Sequence, residues 1–222
     1  MMFLFILIGF LPSFAWLFFF LKEDIHPEPK KMIAKVFIWG ALITSIAILV
    51  QYLFRYLLGT IGIGQHQFAS FLLFGIIEEV LKFLAAYSVV KKSPFFDEPM
   101  DAMIYMITAA LGFALVENVA VVSGIKIASE AIGVLIFRFV GATLLHALSS
   151  AIVGYYWALS IIKKKTNNFS SLLFWGLMVA SVLHGIFNYL IIMFREAMIY
   201  PLIFLVIVAF FVFWDFEKVK RA

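Results

Sequence analysis

Cysteine is absent from all 222 residues. That excludes a disulfide framework, a thiol nucleophile and any Cys-ligated metal. Charge is also scarce. Charged residues make up 14% of the chain, against about 25% in a soluble domain. A water-soluble surface cannot be covered by so few charges. An ordinary soluble enzyme, a disordered chain and a nucleic-acid-binding module are thereby excluded. Histidine occurs only four times, so imidazole chemistry has few candidates. His-Glu-x-x-His, Gly-x-Ser-x-Gly and P-loop patterns are missing. No serine stands in a setting that suggests an activated nucleophile.

What is abundant is apolar. Hydrophobic residues reach 65%, with 27 Phe, and the mean hydropathy is +1.08. Seven runs have helical spanning length: 2–21, 36–58, 68–90, 101–122, 134–162, 171–193 and 198–214. A spanning helix needs about 20 apolar residues. In lipid the backbone must satisfy its own hydrogen bonds, so helices are expected. The first run has no Lys or Arg before it and is expected to stay as an anchor, kinked at Pro12. The fold class expected is an all-α polytopic membrane bundle of about seven transmembrane helices. Residues 1–222 form a single transmembrane domain, without a linker or repeat.

The loops alternate in charge. Lys22, Lys30, Lys31 and Lys35 fall in one loop, Lys91 and Lys92 in the next but one, then Lys163, Lys164 and Lys165, then Lys218, Lys220 and Arg221. The intervening loops hold only Lys126 and Arg195. The positive-inside rule places the N-terminus outside and the tail in the cytoplasm. This pattern accounts for the net charge of +4 without nucleic acid.

A few polar groups interrupt the apolar runs. They are Glu78, Glu79 and Lys82, then Glu117 and Asn118, then Arg138 and His146, then His184 and Asn188. A charge at bilayer centre costs roughly 2.5–3.5 kcal/mol on insertion scales. These groups are therefore expected to face one another. Residues four apart share a helix face, which groups Glu78 with Lys82, Phe113 with Glu117, His146 with Ser150, and His184 with Asn188. At 1.5 Å per residue, Glu78, His146, His184 and Glu117 lie ~15, ~18, ~14 and ~8 Å below the outer ends of their spans. Convergence on one site open to the outer face is expected, within a core of about 68–193.

Adjacent carboxylates disfavour double ionisation, so one of Glu78 and Glu79 is a candidate general base, with Lys82 holding the other. The Asn188 amide is a candidate oxyanion donor, and Gly185 admits a close approach. Either histidine alone reads as an interhelical hydrogen-bonder; two beside carboxylates point to function. Arg138 and Arg55 read as snorkelling residues. Tyr155, Tyr156 and Trp157 read as an interfacial belt, and His26 and His66 as loop residues.

The ordered set Glu78-Glu79-x-x-Lys82, Phe113-x-x-x-Glu117-Asn118, His146 and His184-Gly185-x-x-Asn188 resembles the PrsW intramembrane proteases. Asp97-Glu98-Pro99-Met100-Asp101 leading into Leu111-Gly112-Phe113 is similar to that family too. The wider relatives are the type II CAAX prenyl proteases and bacteriocin-processing enzymes, which carry Glu-Glu-x-x-x-Arg and Phe-x-x-x-His. Here Lys82 comes one position earlier, and Glu117 stands in place of the His; both departures favour the PrsW branch. The resemblance implies a multi-pass peptidase of the cell membrane. Its substrate would be a single-span membrane protein, cut as an anti-sigma factor is in Bacillus-type systems, first and on the extracytoplasmic side. It implies Glu78, Glu79, Glu117, His146, His184 and Asn188 as catalytic, supported by Lys82 and Asn118. Two catalytic types stay open. Glu78 activates water directly, or Glu78, Glu117, His146 and His184 supply ligands for zinc. The lack of a compact metal motif favours direct glutamate catalysis. A proton-coupled transporter uses similar residues, and a non-catalytic scaffold is a third reading. The sequence carries no signal for oligomeric state.

Overall fold

The computed structural model describes residues 7–163, 169–194 and 197–222. Lys164, Lys165 and Arg195 of the charge pattern, and the start of the first run, lie outside the described residues. Among the described residues seven helices follow in chain order: α1 (Leu11–Phe20), α2 (Lys30–Thr60), α3 (Phe68–Val90), α4 (Pro99–Ser123), α5 (Ala128–Ile162), α6 (Phe169–Met193) and α7 (Ile199–Lys220). No strand occurs among the described residues. Five of the helices, α2 and α4 to α7, are long and apolar enough to cross a membrane. Helix α3 is 23 residues long, but Glu78, Glu79 and Lys82 interrupt its apolar run.

The helical stretch Leu7–Phe20 is interrupted by a turn at Phe10, two residues before Pro12, and resumes with Pro12 in the first turn of α1. The missing N–H of Pro12 leaves the carbonyl of Ile8 without its i+4 donor, so the break falls where the proline was expected to disturb the run.

Helix α4 is the axis of the bundle. From Met100 to Leu115 it is buried throughout. Its start is built from the 97–101 motif. Glu98 is the N-cap, Pro99 opens the first turn, and Asp101 Oδ2 accepts from the backbone N–H of Asp97 and Glu98 at 2.9 and 2.8 Å. That arrangement satisfies donors that a helix N-terminus leaves free. Small residues let neighbours approach α4 at backbone distance, which is how membrane helices pack without a hydrophobic drive. A Cβ on Gly40 of α2 would sit 2.0 Å from the Ala109 carbonyl oxygen, and one on Gly112 would sit 2.0 Å from that of Phe37. Helices α3 and α6 meet in the same way: a Cβ on Gly185 would lie 3.1 Å from Leu72 Cα. The close approach expected at Gly185 is thus made by another helix.

Trp157 is not an interfacial residue. It is buried and packs among Phe83, Tyr87 and Phe96, with ring centroids 4.8–5.7 Å away. The outer faces of α2 and α7 expose Leu49, Leu53, Val206 and Phe210, an apolar girdle suited to lipid. Helix α5 carries a π segment at Phe139–Thr143, three residues before His146. Such bulges re-aim the residues that follow them and recur at functional sites.

Candidate active site

Helices α3, α4, α5 and α6 bring their interrupting polar groups together. Glu78, Glu79, Lys82, His146 and His184 are all buried. Glu79 is saturated. Its Oε1 accepts from Lys82 Nζ at 2.8 Å, Ser149 Oγ at 2.9 Å and His184 Nδ1 at 3.0 Å, and its Oε2 from Ser150 Oγ at 2.9 Å. A carboxylate with four donors and no exposed surface is fixed, and it does not line the cavity that reaches Glu78.

Lys82 has three donors and no acceptor. Besides Glu79 it reaches His146 Nδ1 at 2.7 Å, lies 3.6 Å from Glu78 Oε2, and sits 4.9 Å from the Phe113 ring centre. Because Lys82 only donates, His146 Nδ1 carries a lone pair. His146 Nε2 then carries the proton and donates to Glu117 Oε2 at 2.9 Å. The same logic applies to His184. Its Nδ1–H faces Glu79, so its Nε2 is bare and points at Glu78 Oε2 from 3.5 Å.

Glu78 differs from its neighbour. Gln51 Nε2 donates to its Oε1 at 2.8 Å. Its Oε2 is buried and has no hydrogen-bond partner. One atom each from Glu78, His146 and His184 lies within 4.8 Å of the others. Two lone-pair-bearing atoms, Glu78 Oε2 and His184 Nε2, therefore face each other with no proton between them, beside His146 Nδ1, whose lone pair takes the Lys82 donor; this is unfavourable unless a cation or proton completes the set. Composition points the same way: three carboxylates, Glu78, Glu79 and Glu117, meet two basic side chains, Lys82 and Arg138. Both imidazoles also have their second nitrogen on a carboxylate, the arrangement typical of metal-bound histidine.

The expected residues divide into layers. Glu117 stands behind His146, held by Arg138 Nη2 at 3.1 Å. Asn118 lies further out, bonded to Thr143 Oγ1 at 3.1 Å and to Arg138 Nε. Arg138 therefore does not snorkel; it pairs inward. Asn188 lines a cavity of about 210 Å³ with Gln51, Arg55, Gln65, His66 and Glu78. Arg55 and His66, read as surface residues, stand at this opening. Sequence reading placed Ser150 on the face of His146 but missed Gln51, Ser149 and the inward role of Arg138. Ser149 and Ser150 follow His146 by one helical turn, so spacing held a signal. Gln51 was a lone amide in an apolar run, which is itself a signal.

The family model for PrsW family intramembrane metalloproteases matches residues 28–214. The chain belongs to the PrsW family. Protease PrsW of Bacillus subtilis (strain 168) is 30% identical over 229 residues, covering 100% of this chain and 96% of its own. Protease PrsW of Clostridioides difficile (strain 630) is 28% identical, covering 90% and 85%. That of Geobacillus kaustophilus (strain HTA426) is 28% identical, covering 86% and 81%. No solved structure matches. This PrsW-family chain is a membrane-embedded, multi-pass protease, and the matched range contains the buried polar centre.

Proposed function

We propose that this PrsW-family protease hydrolyses a peptide bond of single-span membrane proteins at the Glu78 centre, on the extracytoplasmic side of the cell membrane. The observation that carries the reading is the unpartnered Glu78 Oε2 facing His184 Nε2 and His146 Nδ1. The proposed topology has the N-terminus outside and the tail in the cytoplasm. Two contacts support it by joining lysine-rich segments: Lys220 Nζ reaches Glu23 at 2.7 Å, and His26 reaches Glu98 at 2.7 Å. The cavity over Glu78 includes Gln65 and His66, from the loop at the opposite ends of the helices. A substrate segment entering there meets Glu78 from outside. Anti-sigma factors are the substrate class that the family resemblance suggests.

Glu78 can serve in two exclusive ways. As a ligand, its Oε2 joins His184 Nε2 and, once Lys82 Nζ gives up its 2.7 Å bond, His146 Nδ1, as an N/O donor set suited to zinc, open on the cavity side. Zinc held there supplies Lewis acidity to water and to the scissile carbonyl. As a direct base, Glu78 Oε2 takes the proton of the attacking water and returns it to the leaving nitrogen. The ligand role is preferred, because the lone pairs of Glu78 and His184 converge and carboxylates outnumber basic side chains around them. In either case Glu79 and Glu117 hold the imidazole orientations, and Lys82 anchors Glu79. Asn188 faces the cavity as the donor for the carbonyl oxygen as it gains charge. A proton-coupled transporter would need the same groups to exchange protons across the membrane, and the saturated Glu79 is poorly suited to that.

The test uses purified protein in lipid vesicles with a single-span substrate. One zinc per chain, lost with activity on chelation and regained with it, supports the ligand role. Full activity in metal-free protein, abolished by Glu78→Gln, would replace it with direct glutamate catalysis.

A further inference from the structure

Gln51 is the one amide side chain of α2, and it is aimed at the reacting carboxylate. Its Nε2 donates to Glu78 Oε1 at 2.8 Å. The terminal torsion of a Glu side chain is broad and weakly held by itself. Fixing Oε1 sets the plane of the carboxylate. In that plane Oε2 lies 3.5 Å from His184 Nε2 and 3.8 Å from His146 Nδ1. A competing partner is at hand: Lys82 Nζ is 3.6 Å from Oε2. Without the amide, the carboxylate is free to turn onto the ammonium and withdraw its free oxygen from the cavity.

We propose that Gln51 is a positioning residue of the hydrolytic site. By holding Glu78 Oε1 it keeps Oε2 turned away from Lys82 and toward the two imidazoles. The proposal rests on the peptidase reading above. Gln51 also lines the cavity that ends on Glu78, so α2 closes one wall of the site as well as orienting its carboxylate. A hydrogen bond to a charged group in a buried setting is among the stronger ones, and losing an outer partner of a metal or catalytic site typically costs 10–100-fold.

The test compares Gln51→Met, Gln51→Glu and Gln51→His in the full chain, in vesicles with a single-span substrate. Met keeps length and packing but donates nothing. Expected for Gln51→Met is a kcat lower by roughly 10–100-fold, with KM and thermal midpoint little changed. Gln51→Glu falls further, because an anion then faces an anion. Gln51→His, which restores a donor, recovers part of the rate. Wild-type kcat in Gln51→Met, or a change confined to KM, overturns the positioning role and leaves the peptidase reading intact. Wild-type protein that shows no Glu78-dependent cleavage overturns that reading, and the proposal with it.

Discussion

Lys82 Nζ lies 2.8 Å from Glu79 Oε1, and neither side chain has any exposed surface. The pair is three residues apart on one helix. Removing one partner of a buried ion pair typically costs 3–5 kcal/mol, because the other charge is left uncompensated. Lys82→Met is therefore expected to lower stability by about that amount. Glu79 would keep Ser149, Ser150 and His184 as donors, which sets the loss at the lower end. The double variant Lys82→Met/Glu79→Gln is expected to lose less than the two single losses added. Denaturation in detergent micelles measures the cycle; additivity of the two losses would contradict the pairing.

Glu117 acts on His146 rather than in the cavity. Its Oε2 is 2.9 Å from His146 Nε2, and Arg138 holds it from the other side. On the zinc-ligand reading proposed above, Glu117→Gln leaves the fold intact and weakens zinc binding by roughly 10–100-fold. Competition with a chromogenic chelator reads the affinity. Unchanged affinity with unchanged activity would remove Glu117 from the support of His146.

The contact between α2 and α4 predicts a sharp contrast between glycines of one helix. Gly40→Ala drives a methyl into the Ala109 carbonyl, and the two backbones must separate. Overpacking of this kind typically costs 1–3 kcal/mol. Gly59→Ala, at the exposed end of the same helix, meets nothing within 4 Å. It is expected to be neutral or to stabilise by roughly 0.5–1 kcal/mol through helix propensity. Thermal unfolding of the two variants side by side measures the contrast.

A pH dependence is built into the 22–29 loop. Burial pushes the Glu28 carboxyl up from its ordinary 4.5 to about 8, against the hydrogen bond it accepts from Tyr105; the negative charge of Asp101 adds to the rise. An acid whose folded value is raised binds more protons folded than unfolded. Its protonated form favours the fold, so stability falls as pH rises from about 4.5 to about 8. Glu28→Gln removes that slope. The variant should approach wild type in stability near pH 5 and exceed it above pH 8. Thermal midpoints across that range test the sign.

Much of this architecture was legible in the sequence. Apolar run length located the seven helices of the described residues, since a run of about 20 apolar residues without alternation satisfies its backbone in lipid only as a helix. Misplaced charge located the site: Glu78, Glu79, Lys82, His146 and His184 were singled out because burial without partners is too costly, and they are one another's partners. Pairing within the cluster was legible in part: Lys82 was expected to hold one carboxylate of the pair, but the helix-face spacing did not say which. Glu78 and Lys82 share the helix-face spacing of four, yet Lys82 bonds Glu79 more closely, at three. The convergence of three donors from three helices is set by tertiary packing, so it leaves no compact motif. Gln51 and Arg138 act across helices far apart in the chain, and only their polarity hinted at it. Trp157 misled because an aromatic at a helix end fits an interface as well as a core.

The central claim is that Glu78 is indispensable to a peptidase site, as a zinc ligand or as the base itself. Its most direct test is a comparison of new protein N-termini in membranes carrying wild type and Glu78→Gln at matched expression. New termini in single-span proteins, near the outer membrane face and absent from the variant, are the predicted result. Identical sets of termini in the two membranes would contradict it and leave the buried carboxylates as structural or transport groups.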